Sequence, residues 1–341
     1  MGIGIPNVHE AWTWYRKNLK MDVPVFEEAA TAELMLPYTG GKPHDRHAIL
    51  AMNMQGGGGF EIWQYTSRTP EACSFALKLG DLGINICKIK SPDVPKAFAN
   101  FDKTYLVSKQ VETTPNGLKH FFVKDPFGNS FQIMESDEWF QDRGDTTGGV
   151  YGAILGVSDI EKSVAFYSSI LGYDKVEWQD EGMFVDLNSQ NSGRSNFKRA
   201  ILTHSKPRKG GFSPLLGQTQ IELLQNLDQK GQKVYKGRYW GDLGFIHLCF
   251  DVIGMKALRK ECEAAGHPFT VDSTNSFDMG EAAGHFSYIE DPDGTLIEFV
   301  ETHKIAILKK IGWYLDLRKR DALKPLPRWM LKSMGLNRKK N

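Results

Sequence analysis

The sequence lacks several features that would define its class at once. Its 341 residues include only four cysteines, too few and too scattered for a zinc ribbon or a disulfide-stabilised scaffold. No apolar run approaches the roughly 18 residues that span a bilayer, and a strand-like segment rather than a basic and apolar leader follows Met1. We therefore predict a cytoplasmic protein with reduced cysteines. Its length and 41% hydrophobic content suffice for two packed domains.

The formal net charge is only +1, but the charge is unevenly distributed. The tail, residues 303–341, carries 12 Lys or Arg against two Asp, whereas residues 1–302 carry 30 basic and 39 acidic side chains. The tail is therefore a distinct unit. Because the positive charge lies in a tail without a recognisable recognition motif, nucleic-acid binding has little support.

Two internal repeats indicate that the chain is a duplicated pair of units. The first has an offset of 152 residues and relates Ile5-Pro-Asn-Val-His-Glu-Ala-Trp-Thr-Trp-Tyr15 to Val157-Ser-Asp-Ile-Glu-Lys-Ser-Val-Ala-Phe-Tyr167. The second has an offset of 161 to 166 residues. It relates Gly80-Asp-Leu-Gly83 to Gly241-Asp-Leu-Gly244, and Phe122-Val-Lys-Asp-Pro-Phe-Gly128 to Tyr288-Ile-Glu-Asp-Pro-Asp-Gly294.

Each quarter of the chain follows one plan, in which a short strand and a helix precede three strands. Ser158 or Asp159 is expected to cap the helix of the third quarter, which Gly172 closes. A helix over 255–265 and a hairpin at Asp291-Pro-Asp-Gly294 are expected in the fourth. Strands are predicted over residues 154–157, 175–187, 197–203, 219–224, 246–252, 286–289 and 296–300. The sequence therefore predicts an α+β fold of four βαβββ modules.

The strand His247-Leu-Cys-Phe-Asp-Val252 and the hairpin from Tyr288 to Glu298 resemble the first and last strands of a vicinal oxygen chelate module. This superfamily includes glyoxalases, bleomycin resistance proteins and extradiol dioxygenases, and the resemblance covers about residues 2–302. It implies that modules pair into curved sheets around a cavity, with the chemistry in the second pair. We expect a first paired-module domain with a degenerate, structural site, a second with the candidate metal site, and a basic tail. Their boundaries are 1–144, 145–302 and 303–341.

The resemblance also implies where metal ligands lie, with one on the first and one on the last strand of each paired module. In the second pair these positions are Gly152, Glu222, His247 and Glu298. Three of the four can bind a divalent ion, and Zn, Fe, Mn and Ni are all candidates. Independently of the resemblance, Glu222 and Glu298 each lie between apolar residues at the centre of a strand, where a buried carboxylate needs a compensating partner.

The first pair has the weaker set of ligand-capable residues. Its positions are Glu61, Gln132 and Ile86, or Asn85 if the register shifts by one residue. The remaining position falls just before Met1, which leaves open whether the natural protein begins there. Because Ile86 cannot bind a metal, we expect this half to be structural.

Tyr288 and His285 are further catalytic candidates beside Glu222. Tyr288 stands ten residues before Glu298, where the resemblance to extradiol dioxygenases implies contact with substrate, and a packing role is equally expected. His285 could act as an acid or base, because histidine titrates near neutral pH. Their odd spacing places them on opposite faces of a regular strand, so at most one faces the cavity. The basic loop 206–211 could steer an anionic substrate.

These residues lead us to expect a metal-dependent glyoxalase-type lyase or isomerase that acts on a small substrate with vicinal oxygens, with Glu222 moving a proton. Extradiol ring cleavage is one alternative, but its iron site needs two histidines and one carboxylate. A metal-free binding protein of the bleomycin-resistance type is another. Its cavity would be lined by aromatic residues such as Trp178, Phe184, Phe286 and Tyr288.

The tail has apolar residues at helical spacing and basic residues between them, which predicts an amphipathic helix. The apolar positions are Ile305, Leu308, Ile311 and Leu315, and Pro325-Leu-Pro327 breaks the pattern. Such a helix packs on the body or on a second subunit, or it rests on an anionic membrane.

Overall fold

The structure is a computed structural model that describes residues 1–273, 277–278 and 282–339. The first module contains β1 (Gly2–Gly4), α1 (Val8–Leu19), β2 (Val23–Thr31), β3 (Asp45–Met52) and β4 (Gly59–Tyr65). The second contains β5 (Gly83–Ser91), α2 (Val94–Asn100), β6 (Glu112–Thr113), β7 (Lys119–Lys124) and β8 (Ser130–Glu135).

The second half of the chain repeats this order. The third module contains β9 (Gly148–Gly156), α3 (Ile160–Ser169), β10 (Lys175–Gly182), β11 (Phe197–Thr203), α4 (Ser213–Leu216) and β12 (Gln220–Asn226). The fourth contains β13 (Gly244–Asp251), α5 (Met255–Ala264), β14 (Val271–Asp272), β15 (Phe277–Asp278), β16 (Ala282–Glu290) and β17 (Leu296–Leu308). The tail adds β18 (Trp313–Asp316) and α6 (Arg328–Ser333).

Local signals explain where these elements begin and end. The Asp159 carboxylate accepts a hydrogen bond from the backbone N–H of Lys162 at 3.1 Å and so caps α3, as predicted. The Asp291 turn joins β16 to β17, and its carboxylate accepts from the backbone N–H of Asp293 and Thr295 at 2.9 and 2.8 Å. The predicted α+β fold of paired βαβββ modules is confirmed.

Within the described ranges the strands form two sheets. The first sheet has ten strands, with the path β14-β16-β17-β13-β1-β4-β3-β2, and β15 and β18 lie beside β16 and β17. The second sheet has eight strands in the order β10-β11-β12-β9-β5-β8-β7-β6. Modules 1 and 4 therefore share the first sheet, and modules 2 and 3 share the second.

This pairing corrects the expectation that residues 1–144 and 145–302 each form a paired-module domain. β1 pairs antiparallel with β13, and β5 pairs antiparallel with β9. The long connections after modules 1 and 3 run together, since the backbone N–H of Leu82 donates to the Gln232 carbonyl at 2.8 Å and Arg68 pairs with the buried Asp242. The repeat does not reveal this, because all four modules have the same apolar pattern.

A large apolar core packs the helices against both sheets. Within it the Tyr15 hydroxyl donates to Asp125 at 2.6 Å, and the equivalent Tyr167 hydroxyl donates to Asp291 at 3.0 Å. Burial raises the pKa of both tyrosines well above the usual value, and the neighbouring carboxylates add to this effect. These two contacts tie modules 1 to 2 and 3 to 4 across the core.

The tail differs from the expected amphipathic helix over Ile305 to Leu315. β17 continues to Leu308 and pairs with β18, because β-branched Ile305 and Ile307 are both buried by extending the sheet. A short helix, α6, follows Pro327, and Leu331 is buried on the body of the protein. Among the described residues, no helix is long and apolar enough to cross a membrane.

Candidate metal centre

A cavity of about 670 Å³ lies against one face of the first sheet. Its walls come from modules 1, 3 and 4 and from the tail. The lining residues include Glu61 of β4, Cys249 of β13, Tyr288 of β16, Glu298 of β17 and Met334 of the tail.

Three side chains that can bind a metal meet at this cavity. The Nε2 atom of His247 lies 3.2 Å from Oε2 of Glu298 and 3.4 Å from Oε2 of Glu61. His247 is fully buried, and its Nε2 has no hydrogen-bond partner among the described residues. Donor atoms held at about 2.0–2.2 Å from one divalent ion lie roughly 3 Å apart. The orphaned nitrogen and the two carboxylates therefore fit a metal ion.

Strand register explains why these residues meet. β1 lies between β4 and β13, and Gly2 pairs with both Glu61 and His247. Cys249, two residues after His247, pairs with Glu298 of β17. A Cβ atom at Gly2 would lie 2.4 Å from the His247 ring, so glycine at this position makes room for the imidazole.

Tyr288 contacts Glu298, and the two carboxylates lie in different surroundings. Its hydroxyl donates to Oε1 of Glu298 at 2.9 Å and lies 3.5 Å from Nδ1 of His247. Burial raises the pKa of Glu61, and the adjacent Glu298 adds to this effect. Burial also acts to raise the pKa of Glu298, but the charge of His247 and the hydrogen bonds outweigh burial and lower the pKa. Glu298 is therefore the more acidic of the two carboxyl groups.

Glu222 does not join this cluster, in contrast to the prediction. It lies on β12 of the second sheet, where its carboxylate accepts from Lys88 at 2.5 Å and from Arg199 at 2.7 Å, and all three side chains are buried. Arg199 also forms a bidentate pair with Asp186 at 2.8 and 2.9 Å. The prediction fails because modules 3 and 4 contribute to different sheets.

The other ligand positions of the second sheet are also unsuited to a metal. Ile86 is apolar, and the alternative Asn85 uses its amide on the backbone of the preceding turn. Gln132 is buried, and neither polar atom of its side chain has a hydrogen-bond partner among the described residues. A Cβ atom at Gly152 would lie 1.6 Å from the Gln220 carbonyl oxygen, so close backbone packing explains that glycine.

The remaining candidates divide between the two sheets. Tyr288 and Phe286 line the cavity, whereas Trp178 and Phe184 pack against each other in an apolar cluster of the second sheet. His285 is not among the lining residues, and its Nε2 lies 2.5 Å from Oδ1 of Asp272. His285 is therefore not placed to move a proton within the cavity.

Two parts of the cavity wall, Glu61 and the tail, were not predicted from the sequence. Glu61 occupies a ligand position of module 1, but it was assigned to the structural half because the pairing of modules 1 and 4 was unknown. Ile305 and Met334 of the tail also line the cavity. Their apolar character was visible in the sequence, whereas the surface that they cover was not.

A second group of ligand-capable side chains lies on the outside of module 1. Oε1 of Glu27 lies 3.4 Å from Nε2 of His47 and 3.8 Å from Nδ1 of His9. His9 and Glu27 are exposed. Exposed polar groups of this kind are often solvated, so this group serves below as a control for the buried cluster.

Comparisons with known proteins agree with this architecture. Residues 150–299 match the sequence model of the Glyoxalase/Bleomycin resistance protein/Dioxygenase superfamily, and no curated protein matches the chain. Glyoxalase I from Zea mays aligns over 88% of this chain and 90% of its own, with 14% identity and a TM-score of 0.52. A putative dioxygenase from Bacillus subtilis subsp. subtilis str. 168 aligns over 88% of this chain and 83% of its own, with 13% identity and a TM-score of 0.53. At these identities the structural likeness shows the fold alone.

The family match covers the modules that carry His247 and Glu298, and the likeness of fold extends over most of the chain. The internal duplication gives modules 1 and 2 the same plan as modules 3 and 4. Residues 150–299 therefore resemble the Glyoxalase/Bleomycin resistance protein/Dioxygenase superfamily in sequence, and the whole chain has a four-module fold similar to that of glyoxalase I.

Proposed function

We propose that the protein is a metal-dependent lyase or isomerase of the glyoxalase type, acting on a small molecule with vicinal oxygens. The observation that carries this proposal is the convergence of Glu61, His247 and Glu298 beside a cavity, with the imidazole Nε2 facing both carboxylates. One imidazole and two carboxylates suit a divalent ion such as Zn, Fe, Mn or Ni.

In this proposal His247, Glu61 and Glu298 hold the ion at the cavity wall. A bound divalent ion polarises a carbonyl oxygen and stabilises the negative charge that develops on it. Tyr288 orients Glu298 by donating to Oε1, which leaves Oε2 directed at His247. Glu61 lines the cavity and takes the proton-moving role that was expected of Glu222.

A metal-free binding protein is the second candidate, because much of the cavity wall is apolar. In that case the His247 imidazole would contact the two carboxylates without a metal. Extradiol ring cleavage is less well supported, since the cluster offers one histidine where such an iron site uses two. Cytoplasmic location, and membrane contact or self-association through the tail, stay predictions.

Metal content tests the proposal directly. Protein purified without chelator, or loaded with excess Zn²⁺ or Ni²⁺ and desalted, is expected to retain about one ion per chain by mass spectrometry. Glu298→Gln is expected to lose it, because the substitution removes a charged ligand. His47→Ala is the matched control, since it disrupts the exposed group and leaves the buried cluster intact. A wild-type protein without metal, or a Glu298→Gln protein that keeps it, would contradict the proposal and favour metal-free binding.

Activity is measured as exchange of the carbon-bound proton of a hydroxyketone or ketoaldehyde in D₂O by NMR. The metal-loaded protein is expected to catalyse exchange, and Glu61→Gln to slow it by at least 100-fold, within the range attributed to a positioned acid or base. Equal exchange by wild type and Glu61→Gln would remove the proton-moving role from Glu61.

A further inference from the structure

We propose that the substrate is an amphiphile with a small head of two adjacent oxygens and a long apolar body. The head would lie at Glu61, His247 and Glu298, and this part of the inference rests on the proposed function. The apolar body would extend along β2 beneath the tail, and this part rests on the cavity itself.

The cavity reaches far beyond the ligand cluster. Phe26 pairs with Leu50, and Leu50 pairs with Glu61, so Phe26 marks the level of the cluster on β2. The lining continues along β2 to Ala30 and Thr31. Four residues from Phe26 to Ala30 correspond to about 13 Å of strand. A substrate of only three or four carbon atoms would leave this length of cavity unfilled.

The polar side chains along the far part of the cavity, Thr31 and Glu33 among them, are paired with neighbours or exposed to solvent. Glu28 and Arg46 both line it, but they form an ion pair with each other at 2.9 Å. The other basic residues in the lining, Arg208 and Lys209, are exposed to solvent, where they could contact a charged end of the molecule. The surface left for the body of a ligand is therefore mainly apolar, and burying apolar ligand surface there is favourable.

Two segments outside the β2 strand complete this apolar wall. α4 contributes Leu215 and Leu216, and the tail contributes Ile305 and Met334. The tail is held in place at its end, because Arg338 pairs with Asp22 at 2.8 Å. These segments cover the space along β2. The cavity there has room for an alkyl chain or a ring system.

Alkyl hydroxamates test the inference, because they present two adjacent oxygens on an apolar chain of chosen length. Binding of acetohydroxamate and decanohydroxamate to zinc-loaded protein is measured by isothermal titration calorimetry. Decanohydroxamate is expected to bind at least 100-fold more tightly, since each fully buried methylene contributes roughly a threefold to fourfold gain. Affinity that does not rise with chain length would overturn the inference.

A pair of tryptophan substitutions locates the binding of the chain. Ala30 faces the cavity, whereas Ala29 is exposed on the opposite face of the same strand. Ala30→Trp is expected to weaken decanohydroxamate at least tenfold and to leave acetohydroxamate unchanged, because it fills the far part of the cavity. Ala29→Trp is expected to change neither. Equal loss in both variants, or none in Ala30→Trp, would contradict the proposed location.

A metal-independent probe separates this inference from the proposed function. Metal-free Glu298→Gln protein is expected to bind N-phenyl-1-naphthylamine with enhanced fluorescence, and Ala30→Trp is expected to weaken that binding at least tenfold. If hydroxamates fail and the fluorescent probe still behaves in this way, the metal site is wrong and the apolar pocket stands. If the probe does not bind, or binds Ala30→Trp equally, the apolar body of the substrate is ruled out.

Discussion

The two sheets place different side chains at equivalent positions. With the offset of 161 residues, His247, Cys249 and Asp251 of β13 correspond to Ile86, Lys88 and Lys90 of β5. The first sheet therefore has a histidine, a cysteine and an aspartate at these positions, and the cysteine and the aspartate line the cavity. The second presents an apolar residue and two buried lysines. Duplicated modules have thus kept one backbone plan while their central strands acquired opposite charge.

A glutamate occupies the same position in both sheets, but the charged groups around it differ. Glu61 and Glu222 occupy the same place on the last strand of modules 1 and 3. Glu61 faces a histidine and a second carboxylate, so negative charge is in excess and a cation would offset it. Glu222 faces Lys88 and Arg199, which outweigh the effect of burial and lower its pKa. The second sheet therefore balances its carboxylate with the protein's own cations.

The described side chains also differ in size between equivalent positions of the two sheets. In the strand register, Arg199 of β11 lies opposite Leu224 of β12. The residue at the same place in the first sheet is Ala48 of β3, which lies opposite Trp63 of β4. A guanidinium thus fills the place where the first sheet has a methyl group. Phe184 and Leu187 pack beside it as part of an apolar cluster. A ligand site and a packed ion-pair network are two ways of accommodating the same buried carboxylate.

The largest expected effect is on the free energy of unfolding, when Glu61 or Glu222 is replaced by glutamine. Glu222→Gln should lower the free energy of unfolding by about 3–5 kcal/mol, because Lys88 and Arg199 then stay buried with one negative charge too few. Glu61→Gln should leave metal-free protein as stable or slightly more stable, because it relieves repulsion with Glu298. Urea unfolding at pH 7, followed by circular dichroism, measures both.

The double variant Lys88→Met/Glu222→Gln controls for the loss of shape. It removes both buried charges and is expected to recover part of the stability lost in Glu222→Gln. Equal destabilisation by Glu61→Gln and Glu222→Gln would mean that the two sheets do not differ as described.

The pH dependence of stability is the second expected difference. Burial raises the pKa of Asp251 to about 7, although a hydrogen bond from Thr302 acts in the opposite direction. A folded-state pKa above the unfolded value means that stability falls as pH rises from about 4 through 7. At the equivalent position, burial lowers the pKa of Lys90 to about 8, so this residue adds stability as pH rises above 8.

Asp251→Asn should therefore make little difference below pH 4 and should stabilise the protein at pH 8 by up to about 4 kcal/mol, because a pKa raised to about 7 corresponds to a difference of that size. Unfolding midpoints in urea across this range measure the gap between variant and wild type. A gap that is constant with pH would show that Asp251 keeps an ordinary pKa in the folded protein.

Features that depend on neighbouring residues were predictable from the sequence. The cap at Asp159, the turn at Asp291 and the four βαβββ modules all follow from turn chemistry and apolar periodicity. His247 and Glu298 could be placed together because both belong to module 4, on strands β13 and β17 that pair directly. Their proximity is therefore a local consequence of the module plan.

Features that depend on which modules meet were not predictable. β1 has the same apolar alternation whether it pairs with β5 or with β13, so the sequence did not reveal that Glu61 joins module 4. The tail was misassigned for a related reason. Ile305 and Leu308 match a helical period, but burial of both Ile305 and Ile307, which are two residues apart, favours an extended strand.

The smallest expected effect concerns Tyr288, whose equivalent in the second sheet is Phe122. Tyr288→Phe gives the first sheet the residue of the second and removes the hydrogen bond to Oε1 of Glu298. Zinc affinity should fall about tenfold, because partners that orient a ligand typically change metal affinity by that much. Competition with a chromophoric chelator measures it. Tyr65→Phe is the matched control, since the Tyr65 hydroxyl donates to the Trp240 carbonyl oxygen rather than to a ligand. Unchanged affinity in Tyr288→Phe would show that the site does not need this support, and that the two sheets differ only in their ligands.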